Sequence, residues 1–260
     1  MIIHIELPFQ TVFTIVTDCP QLLSSLSTEY GEYCMLSEEK SGFVIEVLKK
    51  ENLFEVTYDN IISKISNPIK LIHNIMYKYR KYDCNYFVIH GAAIEYNKTA
   101  IIFVAPSMGG KTTLTTYLTL NGYGYITDDC VLVRKSDFQV FPCTTPLHLR
   151  RKGVDILQAN KLFIKGLEAD SALERLIYKP KNCIVEPLPL NSIYFIKHSK
   201  ENMILKMTFE EKIEGLLKAP ITNYNIDSKY FDFIFKISQF PCQRINYSEL
   251  EFVEEAIKNV

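Results

Sequence analysis

The apolar positions change period several times along the chain, and the changes crowd together between Tyr86 and Val133. Tyr86–Ile89 is an unbroken apolar run, the pattern of a short buried strand. Two further β-type runs, Ala92–Tyr96 and Thr99–Val104, flank Asn97-Lys98 and predict a hairpin. The second run passes into the small-residue segment Ala105–Gly110. Helical spacing follows from Thr112 to Leu120 and stops at Gly122. A short strand at Tyr125–Thr127 leads into Asp128-Asp129. Val131–Val133 and Gln139–Phe141 then form another hairpin about Lys135-Ser136-Asp137.

The flanks are less dense in signals. Upstream, Val12–Val16, Phe43–Leu48 and Leu53–Tyr58 read as strands, the last two joined by a turn at Lys49-Lys50-Glu51-Asn52. Asn67 is a natural N-cap and Pro68 suits a first helical position. The stripe Ile69, Ile72, Ile75, Met76 and Tyr79 continues that helix, with Lys78, Arg80 and Lys81 in its last turn. Downstream, Asn160–Asn182 is polar and weakly periodic, as a lid or a substrate-contacting loop would be. Ser192–Lys197 is a strand. Three helices follow: Thr208–Lys218, Asp227–Phe240 and Ser248–Lys258, capped by Thr208, Asp227 and Ser248, the last with Glu251 as a capping box. The organisation expected is a small α+β region over 1–83 and an α/β domain over 84–260.

Composition narrows the function classes. Of 260 residues, 47% are apolar, enough for a proper core. A net charge of −1 leaves no electrostatic footprint for nucleic acid. Seven cysteines are scattered without a C-x-x-C pair, which speaks against a disulfide framework or a structural metal and for a reduced, cytoplasmic setting. The opening MIIHIELPFQ lacks the basic and long apolar regions of a signal peptide, and no run of about 18 apolar residues predicts a membrane span.

The chemistry concentrates in the central block. Ala105, Pro106, Ser107, Met108, Gly109, Gly110, Lys111, Thr112 and Thr113 lie where strand, loop and helix meet, as in a phosphate-binding P-loop. Small residues let backbone amides turn inward around a polyphosphate, and the helix adds its positive end. Lys111 would reach the β- and γ-phosphates, and the Thr112 hydroxyl would ligate Mg²⁺. Ala105 stands where the P-loop pattern has its first glycine. Asp128 and Asp129 at a strand end point opposite ways, so one can hold a metal and the other take a proton; alone, such a pair is also a common solvated turn. His90, at a strand end before Gly91, is either a buried structural histidine or part of the site. Arg150 and Arg151, followed by Lys152, read equally as a phosphate clamp or as a solvated basic turn.

The order His90-Gly91, strand pair, Ala105–Thr112 loop, helix and Asp128-Asp129 resembles the catalytic core of the HPr kinase/phosphorylase family, over about Tyr86–Leu149 and more weakly in PLPLNSIYFIK. The resemblance implies a mixed, hairpin-containing sheet related to that of phosphoenolpyruvate carboxykinase. It implies Gly110 and Lys111 on the phosphates, Thr112 and Asp129 on Mg²⁺, Asp128 as the favoured base, and His90 near the reacting phosphoryl group. The glycine-rich second signature of the bifunctional enzymes is not recognisable; LHLRRKGVDIL stands in its place. The leading region is also short for that family. Both departures fit short HPr-kinase-like proteins found beside lasso peptide and other peptide natural-product clusters, which phosphorylate a precursor serine.

The function expected is therefore transfer of a phosphoryl group from ATP, with Mg²⁺, to a serine of a peptide or small protein. The rivals are a nucleotide-dependent regulatory binder without turnover and a small-molecule or HPr-type kinase. The hexameric family makes a homo-oligomer an expectation as well.

Overall fold

The computed structural model describes residues 1–79, 81, 83–164, 167–170, 175–220 and 228–259. The chain divides into two compact units: Met1–Asp83 with Lys165–Lys179, and Cys84–Ile164 with Pro180–Val260. Lys165–Lys179 thus lies with the first unit, although it falls inside the range expected to form the second domain.

The first unit contains β1 (Ile2–Ile5), β2 (Phe13–Thr17), α1 (Pro20–Tyr30), β3 (Cys34–Ser37), β4 (Phe43–Lys50), β5 (Leu53–Tyr58), β6 (Ile61–Ile65) and α2 (Pro68–Tyr79). Among the described residues its strands form one sheet in the order β3-β1-β2-β4-β5-β6, parallel only at β2–β4. Strand alternation turns Ile3, Ile5, Ile45 and Val47 to one face, where Leu26 of α1 and Ile72 of α2 join them in the core. Strand β4 extends to Lys50, so the turn is only Glu51-Asn52, with Glu51 in the left-handed region at φ +51°. Helix α2 ends at Tyr79; Lys81 lies beyond it and Arg80 lies outside the described residues.

The second unit opens with β7 (Tyr86–Ile89), β8 (Gly91–Tyr96), β9 (Thr99–Val104), α3 (Lys111–Leu120), β10 (Gly124–Thr127), β11 (Val131–Arg134), β12 (Gln139–Phe141), β13 (Leu147–Leu149) and α4 (Arg151–Ala159). In the stretch expected as a polar lid, β14 (Glu168–Asp170) and β15 (Arg175–Tyr178) pair as an antiparallel hairpin of the first unit; residues 165, 166 and 171–174 lie outside the description. The chain closes with β16 (Leu188–His198), β17 (Met203–Lys206), α5 (Phe209–Lys218), α6 (Ser228–Ile237), β18 (Cys242–Tyr247) and α7 (Leu250–Lys258).

Two hairpins, β8–β9 and β11–β12, belong to this unit's sheet. Asn97 and Lys98 both adopt positive φ, +51° and +61°, the geometry of a two-residue turn whose twist matches its strands. The long strand β16 joins the parts. It runs parallel to β9 on one side and parallel to β18 on the other, and its first residues pair antiparallel with β12. The result is a mixed sheet of nine strands among the described residues, α/β in class as expected. One face packs Ile102, Val104 and Ile193 with Leu216 of α5 and Phe233 and Ile237 of α6. Helix α5 has the expected cap at Thr208, and Glu211 completes it into a capping box, with Thr208 accepting from the Glu211 amide at 3.3 Å and Glu211 accepting from the Thr208 amide at 2.9 Å. The box expected at Ser248 does not form. Asn202 Oδ1 takes both the amide and the hydroxyl of Ser248, at 2.7 and 3.1 Å, and α7 starts at Leu250 after Glu249. Asp227, the expected cap of α6, lies outside the described residues.

Candidate functional site

Strand β9 delivers the chain to the Ala105–Gly110 loop, and a tight turn follows, with the Gly109 amide donating to Pro106 O at 2.9 Å. Met108 and Gly110 take left-handed φ of +64° and +94°. Left-handed Gly110 before helical Lys111 turns successive amides to one side, the concavity that suits an anion. Two glycines are required by close approach. A Cβ at Gly109 would lie 2.6 Å from Ala105 Cβ, and one at Gly110 would lie 2.5 Å from the Tyr247 hydroxyl. No acidic residue sits in the first turn of α3 and no side chain caps it, so its positive end stays open toward the loop.

Lys111 is buried, and its ammonium is held by the loop it belongs to. Nζ donates to Ala105 O at 3.0 Å and to Pro106 O at 3.4 Å, and lies 3.1 Å from His90 Nε2. A charged lysine beside Nε2 requires His90 to accept there, which the neutral Nδ1–H tautomer does. The His90 amide donates to Ala219 O at 2.6 Å, fixing the backbone that carries the ring. Burial pushes the Lys111 pKa down; the carboxylates of Asp129 and Asp128 oppose that shift and so favour its charge.

Asp128 completes the constellation. The Thr112 hydroxyl donates to its Oδ2 at 2.6 Å, while Oδ1 is buried and accepts no hydrogen bond. Burial, and then the negative charge of Asp129, raise the Asp128 pKa to about 7; the Thr112 bond and Lys111 work against that rise. Asp129 is exposed and left-handed, at φ +65°. The turn carrying both is pinned by the Cys130 amide on Asp128 O, 2.9 Å, and the Thr127 hydroxyl on Cys130 O, 2.9 Å.

The structure therefore brings His90, the loop, Lys111, Thr112 and Asp128 together. Arg150 joins them at the loop's rim, its Nη1 lying 3.2 Å from Met108 Sδ. Arg151 does not; it is largely exposed and faces Asp155 at 3.5 Å. Thr113 turns toward α4, where a Cβ at Gly153 would come within 2.8 Å of its hydroxyl. Tyr247 on β18, buried beneath Gly110, is a site residue without any local signal in the sequence.

Among the described residues, no three His, Cys, Asp or Glu side chains converge on one metal position. Thr112 and a carboxylate pair suit instead a Mg²⁺ that keeps waters and shares phosphate oxygens, rather than an all-protein cage. The orphaned, buried Asp128 Oδ1 is an acceptor in want of a donor or cation.

No protein-family model matches the chain, and no curated protein does. Among solved structures, it is similar to the HPr(Ser) kinase/phosphatase from Coxiella burnetii, at a TM-score of 0.34 and 12% identity, over 66% of this chain and 94% of that one. So distant a likeness assigns neither activity nor site residues. Among the described residues, no helix is long and apolar enough to cross a membrane.

Proposed function

We propose that this chain is a kinase that transfers the γ-phosphoryl group of ATP, with Mg²⁺, to a hydroxyl, the serine of a peptide or small protein. The observation that carries the reading is the pairing of Thr112 with Asp128 across the mouth of the Ala105–Gly110 loop, a buried carboxyl whose pKa lies near 7. A general base is most effective when its pKa is close to the working pH.

The roles follow from the contacts. The loop amides and the start of α3 would receive the phosphates. Lys111 now spends its protons on Ala105 and Pro106 carbonyls and would turn them to the β- and γ-phosphate oxygens. Thr112 and Asp129 would hold Mg²⁺, which supplies charge neutralisation on those oxygens when bound. Asp128 Oδ1, free of hydrogen bonds, would take the hydroxyl proton as the acceptor oxygen bonds to the γ-phosphorus. The bond from the γ-phosphorus to the bridging oxygen breaks in the same displacement, and ADP leaves. Nothing in this scheme asks the protein for covalent chemistry; it asks for position and charge.

Two substitutions test it. Lys111→Ala and Asp128→Asn should each slow transfer to a serine acceptor by on the order of 10² to 10⁴-fold. Full transfer by both variants, or no calorimetric affinity of the unaltered protein for ATP with magnesium, would defeat the reading. Turnover itself separates a kinase from a nucleotide-gated binder.

A further inference from the structure

A cavity of about 350 Å³ opens beside the first residues of the loop. Its wall toward the site is His90, Ala105 and Pro106, the three residues whose atoms hold the Lys111 ammonium. That ammonium marks the end of the loop where the terminal phosphates belong. The cavity therefore adjoins the phosphoryl end of a bound nucleotide, not the end carrying the base. It also lies beyond Val104, where β9 ends, against Phe195, Ile196 and Lys197 near the carboxyl end of the parallel strand β16. Crevices outside the carboxyl ends of parallel strands are where α/β sheets take their ligands.

Its lining combines an apolar floor with a one-signed rim. Val104, Phe195, Ile196 and Ala219 supply the floor; Lys197, Lys218 and Arg244 supply charge. Lys218 is paired with Glu214 at 2.5 Å and Arg244 with Glu211 at 3.3 Å. Lys197 has no ion-pair partner among the described residues, and neither carboxylate lines the cavity. The floor is built to close tolerance. A Cβ at Gly215 would meet the Phe195 ring at 2.5 and 2.8 Å, so any larger residue there must push that ring aside. Glycine inside a helix costs about 1 kcal/mol against alanine, and the close approach accounts for its presence.

We propose that this cavity is the acceptor subsite, and that it selects an acceptor carrying an acidic side chain next to the hydroxyl to be phosphorylated. The volume suits one or two side chains rather than a folded surface. The unpaired Lys197 is the group with charge to give, and Phe195 with Val104 gives the acceptor's aliphatic part a dry seat. The assignment rests on the kinase reading above, and it supplies the substrate class.

The test uses the full chain with ATP and magnesium and two degenerate serine heptapeptide libraries of equal apolar content. In one, Asp and Glu flank the serine; in the other, Lys and Arg do. Transfer to the acidic library should be at least about tenfold faster in kcat/KM, the worth of one charge-assisted hydrogen bond. Lys197→Glu should erase or invert that preference and leave calorimetric ATP affinity within about twofold. Lys197 is exposed, so the variant is not expected to disturb folding. Gly215→Leu is a second probe and should block both libraries without altering ATP affinity. Equal rates on the two libraries, or an ATP affinity that falls with Lys197→Glu, overturn the acceptor assignment while the kinase reading stands. Absence of ATP affinity in the unaltered chain overturns both.

Discussion

Replacing Asp128 by Asn probes the site without any substrate. The carboxyl is buried, and its pKa rises from 3.8 to about 7, with burial as the first cause. A carboxyl raised in the folded state binds its proton more tightly there than in the unfolded chain. Its contribution to stability is therefore complete below about pH 4 and is lost as pH rises toward 7. Above that range the ionised, half-satisfied carboxylate costs the fold on the order of 4 kcal/mol, taking 1.36 kcal/mol for each pKa unit. Asparagine keeps the shape and an oxygen that still accepts from Thr112, but it carries no charge. Lys111 loses one of the two carboxylates that support its charge, so the full figure is a ceiling. The nucleotide-free Asn variant should then melt several degrees higher than the unaltered protein at pH 8, at roughly 2–4 °C for each kcal/mol in a unit of this size. Below about pH 4 the two should nearly coincide, and by pH 5 roughly 1–2 kcal/mol of the gap should already be open. Thermal melts from pH 4 to 8, paired with phosphoryl transfer assays at pH 8, measure both sides of the exchange: stability gained and turnover lost. An Asn variant that melts below the unaltered protein at pH 8, or whose advantage does not grow with pH, would refute the reasoning about the buried charge.

Other substitutions read separate parts of the scaffold. Gly110→Ala should cost more than about 2 kcal/mol, from its left-handed φ and from contact with the Tyr247 hydroxyl. With Tyr247→Phe in the background that cost should fall to about 1 kcal/mol, since the next ring atom is 3.8 Å away; urea denaturation of the four proteins gives the cycle. Glu254 on α7 accepts from Tyr117 at 2.9 Å, Asn121 at 3.1 Å and Lys258 at 2.7 Å, joining α7 to the end of α3. Glu254→Ala should cost about 1–3 kcal/mol by the same measurement, with Glu254→Gln losing less. Thr208→Ala removes the capping hydroxyl of α5 and should cost about 1 kcal/mol.

Local chemistry explains why the central block can be read from sequence and much else cannot. The Asn97-Lys98 turn, the Ala105–Gly110 loop and the Gly122 stop, at φ +98°, each act on residues a few positions away. The expected strand at Tyr86–Ile89 and the helix to Leu120 accordingly match the observed ones to within a residue. Helix α1 carries Pro20 in its first turn and Gly31, at φ +58°, at its end, but Cys19 at its N-cap makes no side-chain cap, and its middle is rich in Ser and Thr. Strand β18 reads CQRINY, polar at every second or third position, and becomes a strand because β16 and β17 pair with it on both sides. Ser248 shows the limit in the other direction, since a complete capping signal loses to Asn202, a residue remote in sequence. The site divides the same way. Lys111, Thr112 and Asp128 follow from spacing, whereas Tyr247 under Gly110 and the basic cavity beside Pro106 arise only when late strands dock on early ones.

The position of β16 between β9 and β18 has a consequence for how the protein is made. The loop leaves the ribosome well before the two strands that wall and floor it, β16 and β18. Contacts of such separation form slowly, and unpaired strand edges are exposed while they wait. A nascent chain would therefore be unable to complete the walls of the loop until β18 has emerged, and truncation within β18 should leave a product that aggregates rather than a folded one.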